Sequence, residues 1–205
     1  MASKVEVANT ALSMIGELPI TSFTDDSKTA RVVNQRYDTA RRAVLRNHFW
    51  NSAKARVKLP ELTTKPAFGW NHQYELPSNW LRLVRLNDID FPRARFEIEG
   101  EKILTDMTAP LKLVYIKDEE DTSKWDALLT EAVAARLASE LAMVIVQSSG
   151  LQNNMWQFYL QKLQLARSVD AMDEPAPVFE ADLWLRSRLH GTGPHPDHHF
   201  RDIDT

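Results

Sequence analysis

Residues 30–44 read ARVVNQRYDTARRAV, and this stretch decides the helical part of the fold. Its apolar side chains recur three or four residues apart, at Ala30, Val33, Tyr37, Ala40 and Val44. That spacing is the period of one face of an α-helix. Asp26 or Ser27 can cap the first turn, so the pattern predicts an amphipathic helix over residues 27–48.

Another helix is predicted before this stretch, over residues 3–16. Ser3 and Glu6 match a capping box, in which a hydroxyl is followed three residues later by a carboxylate. Apolar residues follow at helical spacing. Gly16 can end the helix, because glycine adopts the left-handed backbone of a C-terminal cap without steric cost.

The hydrophobic period changes after residue 48, and we expect a β region over residues 53–117. Residues 53–59 alternate small or apolar side chains with basic ones, which is typical of a half-buried strand. Further short strands are predicted at residues 74–76, 81–86 and 111–116, and as a hairpin of 95–98 with 102–104. No helices separate these strands, so the sheet is predicted to be antiparallel.

Helical spacing then returns. It predicts a helix over residues 123–148, a break at Gly150 and a fourth helix over residues 151–170. Proline-rich sequence follows, and residues 173–205 are predicted to form an extended C-terminal tail.

The predicted fold class is therefore α+β. Residues 1–172 form one domain, mainly an α-helical bundle of about four helices with a central antiparallel β region. The chain of 205 residues is long enough to bury a substantial core.

The composition excludes several classes of protein. The chain has no cysteine, which rules out a disulfide framework, a cysteine nucleophile and a zinc site built from thiolates. Residues 141–161 carry no charge, but polar residues interrupt them, and a spanning helix needs about 20 mostly apolar residues. We expect no membrane segment and interpret this stretch as buried or interfacial protein surface.

Motifs that carry catalysis are absent from the sequence. It contains no glycine-rich phosphate loop, no Gly-x-Ser-x-Gly and no His-Glu-x-x-His. The acidic run of residues 118–121 lacks the glycine and the alternating ligands of a calcium loop. We therefore predict no enzyme, no catalytic residue and no cofactor.

A histidine cluster near the C-terminus is the strongest candidate for a metal site, and it contains His190, His195, His198 and His199 with Asp197. Pro194 and Pro196 prevent the helix that would align the imidazole rings. We therefore favour a solvated or partner-contacting segment and predict no bound metal.

Charge is distributed unevenly along the chain. Residues 28–58 carry nine basic side chains and one acidic one, whereas residues 97–131 carry ten acidic and four basic ones. This polarity fits either a nucleic-acid-binding stripe or head-to-tail self-association, in which the basic flank of one copy meets the acidic flank of the next. No base-reading module is recognisable, which favours self-association.

An apolar island interrupts the polar tail, with its large side chains at Val178, Phe179, Leu183, Trp184, Leu185 and Leu189. Burial of each such side chain contributes about 1.5–3 kcal/mol. We expect this island to dock on the body of the protein or on a partner.

Several stretches of the sequence resemble one known family. They read ANTALSMIGELPI (8–20), DSKTA (26–30), YDTARRAVLRNHFWNSA (37–53), YELP (74–77), WLR (80–82) and FEIEG (96–100). They are similar to the tail tubular protein A family of tailed bacteriophages, also called the head-to-tail adaptor or gatekeeper. The resemblance covers about residues 5–170, and its most specific part is the Leu-Arg-x-His-x-Trp-Asn-x-Ala segment.

This resemblance implies a structural virion protein rather than an enzyme. Family members form a ring, usually of twelve copies, between the portal protein and the tail nozzle or tail tube. The ring continues the channel for double-stranded DNA, which passes without sequence-specific contacts. The family fold is a helical bundle with an antiparallel β region. The implied location is the neck of the virion, after assembly in the host cytoplasm.

Candidate site residues follow from the resemblance and the charge pattern together. The subunit interface is expected at Arg31, Arg41, Arg42, Arg46, Glu119, Glu120 and Asp121. Portal docking is expected at Phe179, Leu183, Trp184, Leu185 and Leu189. The alternative function is a DNA-binding protein that uses the basic region 28–58, and a metal-dependent hydrolase using the histidine-rich tail is a third hypothesis.

Overall fold

The change of period along the sequence corresponds to an α+β fold in a computed structural model, which describes residues 3–173. The α-helices of this part are α1 (Lys4–Met14), α2 (Lys28–Asn47), α3 (Ala127–Leu141) and α4 (Ser149–Met172). The strands are β1 (Lys54–Leu59), β2 (His72–Glu75), β3 (Trp80–Leu86), β4 (Ile89–Asp90), β5 (Glu97–Glu99), β6 (Lys102–Thr105) and β7 (Leu111–Lys117).

Both predicted ends of α1 are confirmed. The hydroxyl of Ser3 accepts a hydrogen bond from the Glu6 amide at 3.2 Å, and the Glu6 carboxylate accepts one from the Ser3 amide. At the other end Gly16 has a φ of +77°. The amides of Gly16 and Glu17 donate to the Ser13 and Leu12 carbonyls, which satisfies two C-terminal carbonyls of the helix.

The helix predicted from residues 30–44 is also confirmed. The Ser27 hydroxyl caps it by accepting a hydrogen bond from the Ala30 amide at 3.1 Å. Its buried face contains the five apolar residues of the periodic pattern, together with Arg41 and Leu45.

The break between the last two helices differs from the prediction. Helix α3 passes into a π-helical turn, Ala142–Val146, and the chain reverses at Gln147, whose φ is +57°. The Ser148 hydroxyl then caps α4 by accepting a hydrogen bond from the Leu151 amide at 3.2 Å. Gly150 therefore lies inside the first turn of α4 and does not break a helix.

The start of α3 also differs from the prediction. A separate short 3-10 turn, Thr122–Lys124, precedes it, and α3 itself begins at Ala127. The carboxylate of Asp126 accepts a hydrogen bond from the Leu128 amide at 2.9 Å. Asp126 therefore caps the helix, which had been expected to begin at residue 123.

The strands form two antiparallel sheets. The four-stranded sheet has the order β1-β7-β3-β4, and the three-stranded sheet has the order β2-β6-β5. The predicted hairpin is β5–β6, with Glu99 opposite Lys102 across Gly100, whose φ is +58°. Strands β2 and β3 are consecutive in the chain but belong to different sheets.

Two hydrophobic clusters stabilise the fold. The larger one lies among the four helices and includes Ile116 of β7. The smaller one lies between the sheets, where Leu83 and Leu113 of the four-stranded sheet pack with Tyr74 and Ile103 of the three-stranded sheet. The four-stranded sheet therefore contributes side chains to both clusters.

Residues 3–173 contain no helix that is both long and apolar enough to cross a bilayer.

Candidate interaction surfaces

A buried ion cluster joins α2 to the segment after β7. Arg41 is only 2% exposed, and it donates through Nε to Asp118 Oδ1 at 3.0 Å and through a terminal nitrogen to Asp118 Oδ2 at 2.9 Å. Arg42 donates to Asp118 Oδ2 at 2.7 Å, from the exposed side. The basic helix and the acidic run were expected to meet between copies, and the structure shows that they meet within one chain.

Glu119 occupies the next position and is buried as well. Lys117 Nζ lies 2.6 Å from its carboxylate, and Lys124 Nζ lies 3.5 Å away. Burial raises the pKa of Glu119, but the Lys117 hydrogen bond, the Asp121 amide and the two lysine charges outweigh it. The net pKa therefore lies below the ordinary value.

The seven predicted interface residues fall into two groups. Arg41 and Glu119 are buried inside the chain, so they offer little surface to another copy. The other five remain exposed: Arg31, Arg42, Arg46, Glu120 and Asp121. All five also bind within the chain. Arg31 pairs with Asp26, Arg42 with Asp118 and Asp121 with Lys124, while Glu120 lies 3.4 Å from Arg41 and Arg46 donates to the Leu81 carbonyl at 2.8 Å. Their role between subunits stays a prediction.

The outer face of α4 carries no charged side chain. Its exposed residues are Ser149, Gly150, Asn153, Asn154, Trp156, Gln157, Leu160, Gln161, Gln164, Leu165, Ser168, Val169, Ala171 and Met172. The charged residues of this helix are half-buried and bind inward, since Lys162 pairs with Glu131 at 2.7 Å and Asp170 with His48 at 3.1 Å. Solvated helices ordinarily carry charges on their outer face.

The C-terminal end of α4 is fastened to the end of α2. The Asp170 carboxylate accepts a hydrogen bond from the Asn51 amide at 3.0 Å and contacts His48 Nε2. Arg167 donates to the Asn47 carbonyl at 3.0 Å. Burial lowers the pKa of His48, although the Asp170 carboxylate opposes this shift.

An apolar groove of about 290 Å³, here called the aromatic groove, is lined by Arg46, Trp80, Arg82, Leu83, Phe91, Phe96 and Ile98. The Phe91 and Phe96 rings lie 6.4 Å apart. Phe91 is 43% exposed and Ile98 is 37% exposed, so the described chain leaves part of its apolar lining open. Sequence reasoning missed this groove, because its residues are dispersed over β3, β5, the segment between β4 and β5, and α2.

A second groove of about 350 Å³, here called the basic groove, lies on the four-stranded sheet and contains Arg56, Lys58, Arg85 and Lys112. Arg85 pairs with Asp90 at 2.6 Å, and Lys112 lies 3.4 Å from Asp88. Within residues 3–173, Arg56 and Lys58 have no carboxylate partner. Lys58 lies directly opposite Lys112 in the pairing of β1 with β7.

A comparison with protein-family models and with curated protein sequences found no match to this chain. Within residues 3–173, no three histidine or acidic side chains are grouped so that they could hold a metal ion. The predicted portal-docking residues Phe179, Leu183, Trp184, Leu185 and Leu189 lie outside the described residues, as do His190, His195, Asp197, His198 and His199.

Proposed function

We propose that this protein is a structural, non-catalytic virion protein: the head-to-tail adaptor subunit of a tailed bacteriophage. Twelve copies form a ring between the portal protein and the tail nozzle or tail tube, and double-stranded DNA passes through its channel. The ring assembles in the host cytoplasm and stays in the virion neck. The proposal starts from the sequence resemblance over residues 5–170.

The charge-free outer face of α4 is the observation that supports this proposal most. A helix of 24 residues is about 36 Å long. Uncharged side chains lose less hydration free energy than charged ones when a partner covers them, and charged residues are depleted at the centres of interfaces. This face therefore fits a subunit contact better than a solvated surface.

A ring contact joins two different patches, because each copy presents one surface to the preceding copy and another to the next. We assign the α4 face to one patch. The exposed charges near Arg42 and Glu120 belong to the rim, where they set orientation more than affinity. The helical bundle forms the body of each ring subunit, and portal docking by residues after 173 stays a prediction.

Light scattering of the purified protein, alone and mixed with a portal ring, tests this function. We expect the unmodified protein to form a large stoichiometric complex in the mixture. The double variant Gln157→Arg, Gln164→Arg adds two charges to the α4 face, and it should remain at the mass of one chain because the contact would bury them.

The matched control is Thr10→Arg, which adds a charge at an exposed position of α1. It should assemble like the unmodified protein. An unmodified protein that stays monomeric with the portal contradicts the adaptor function. Normal assembly of the α4 variant contradicts only the assignment of that face to the interface.

A DNA-binding function through the basic region 28–58 is the second candidate. The basic groove favours it, since Arg56 and Lys58 face solvent without carboxylate partners among the described residues. Phosphate oxygens are suitable ligands for such side chains. The ion cluster counts against it, because Arg41 and Arg42 are already bound to Asp118.

A further inference from the structure

Positive charge collects at the rim of the aromatic groove. Arg82 donates to the Arg46 and Asn47 carbonyls at 3.3 Å each, and Arg167 donates to the same Asn47 carbonyl at 3.0 Å. Within residues 3–173, these three arginines bind backbone carbonyls and no carboxylate. Burial lowers the pKa of Arg82, and the neighbouring Arg46 and Arg167 charges lower it further. A carboxylate at this rim would relieve the repulsion among the guanidinium groups.

The acidic side chains of β5 do not neutralise this rim. Ile98 lines the groove, and side chains alternate between the two faces of a strand, so Glu97 and Glu99 point away from it. Glu97 instead accepts a hydrogen bond from the Trp70 indole N–H at 2.9 Å. The groove therefore combines exposed apolar surface with an excess of positive charge. Its matching ligand is an apolar side chain next to a carboxylate.

The loop between α1 and α2 carries that combination. Leu18 is 83% exposed, and Glu17 precedes it without a basic partner among residues 3–173. Residues 16–27 contain three acidic side chains and no basic one. The loop is therefore complementary to the groove in both charge and polarity.

Side-chain hydrogen bonds fix the conformation of this loop. The Asn9 amide group donates to the Ile20 carbonyl at 2.9 Å and accepts from the Ile20 amide at 2.8 Å. The Asp25 carboxylate accepts hydrogen bonds from the amides of Thr21 and Ser22 at 2.8 and 3.0 Å. Because the loop is already ordered, binding through Leu18 costs less conformational entropy than binding through a flexible segment.

The loop and the groove lie in different parts of the subunit. The loop ends at Ser27, the N-cap of α2, whereas Arg46 of the groove lies in the last turn of the same helix. A helix of 20 residues is about 30 Å long. Two different and complementary patches on one chain are what a head-to-tail contact between copies requires.

We propose that the aromatic groove binds the α1–α2 loop of a second copy of this chain. Leu18 of one copy covers Phe91 and Ile98 of the other, and the Glu17 carboxylate pairs with the arginines at the rim. The contact is head to tail, so it can repeat from copy to copy. It goes beyond the adaptor function and does not depend on it, because it involves neither a portal nor a tail protein.

Cross-linking between two single-cysteine variants tests this contact, since the chain has no cysteine of its own. The loop copy carries Thr21→Cys and is first labelled with one arm of a short bifunctional maleimide. The groove copy carries Arg93→Cys, between Phe91 and Phe96 in the sequence. Both substituted positions are exposed. Every product of the second maleimide arm then joins two chains, and its rate of formation is followed by mass.

The control replaces the labelled site by Ala67→Cys. This residue precedes Phe68, which is 88% exposed, and residues 62–71 contain no acidic side chain. We expect the label at residue 21 to cross-link to the groove copy at least ten-fold faster than the label at residue 67. Equal rates would overturn the proposal, because they would indicate random collision or unspecific apolar contact.

Substitutions in the loop copy provide the second measurement. Leu18→Ala and Glu17→Lys should each slow the cross-link at least five-fold, whereas Phe68→Ala should leave its rate unchanged. Circular dichroism verifies that the variants are folded, as expected for exposed Leu18 and Phe68. An unchanged rate with Leu18→Ala or with Glu17→Lys would also overturn the proposal. Assembly with the portal is measured separately, so failure of the adaptor function is distinguishable.

Discussion

Arg41 carries a full charge inside the protein, and two parallel hydrogen bonds to Asp118 compensate the loss of its hydration. The helical period of α2 predicted that Ala40 is buried, and Arg41 is the next residue in the chain. It did not predict a partner 77 residues away. The sequence shows how many charged side chains are present, but the antiparallel pairing of β7 decides which of them come into contact.

Loss of the Asp118 carboxylate should destabilise the protein strongly. We expect Asp118→Ala to lower the free energy of unfolding by about 3 kcal/mol, because it leaves a buried guanidinium without its main partner. Urea denaturation followed by circular dichroism measures this change. Arg42→Ala is the control, since the Arg42 side chain is 59% exposed, and it should cost about 1 kcal/mol or less. Equal losses of unfolding free energy in the two variants would show that the burial of Arg41 does not add to the cost of removing its partner.

At the scale of elements, the sequence predicted the helices more accurately than their junctions. Capping by Ser3 was correctly predicted, and the cap of α2 was narrowed to Asp26 or Ser27, because a cap involves only neighbouring residues. The break before α4 was misassigned to Gly150, because glycine commonly ends helices. Instead, Gln147 adopts the left-handed backbone, and the Ser148 hydroxyl starts the next helix. The assignment of strands to two sheets was beyond sequence reasoning, since it depends on long-range packing.

Substitution of Gly150 tests whether this glycine breaks the helix, as the sequence suggested, or lies inside α4, as the structure shows. We expect Gly150→Ala to raise the free energy of unfolding by about 0.5–1 kcal/mol, since alanine favours helix and its Cβ would meet no atom within 4 Å. Gly16→Ala is the matched control, because that site is equally open but has a φ of +77°. Gly16→Ala should lower the free energy of unfolding by about 1 kcal/mol. Thermal unfolding measures the stability of both variants. Destabilisation by Gly150→Ala would indicate that Gly150 breaks the helix.

At the scale of the whole molecule, Arg31, Arg41 and Arg42 of the basic region are paired with carboxylates, whereas Arg56 and Lys58 of the basic groove have no such partner within residues 3–173. The sequence shows the excess of basic side chains in region 28–58. It did not predict that β1 would bring Arg56 and Lys58 beside Lys112 of β7, because the register of the strands decides this. Likewise, the uncharged stretch 141–161 was interpreted as buried or interfacial surface, and only the fold shows that its exposed side chains from residue 149 onward lie on the outer face of α4.

Salt dependence tests whether the basic groove contacts DNA. If it does, the variant Arg56→Gln, Lys58→Gln should reduce the slope of log affinity against log salt by about 2, as expected for two lost phosphate contacts. Gel retention with a random duplex measures this slope. The control is the double variant Arg31→Gln, Arg42→Gln. Both arginines are paired with carboxylates, so their substitution should change the slope little. Lack of retention of the unmodified protein at low salt would exclude the DNA-binding candidate.

The attachment of Asp170 and Arg167 to the end of α2 ties the last turns of α4 to the rest of the bundle. Helix ends ordinarily fray, so their amide hydrogens exchange readily with solvent. The amides near Asp170 can exchange freely only when these contacts with the end of α2 also open.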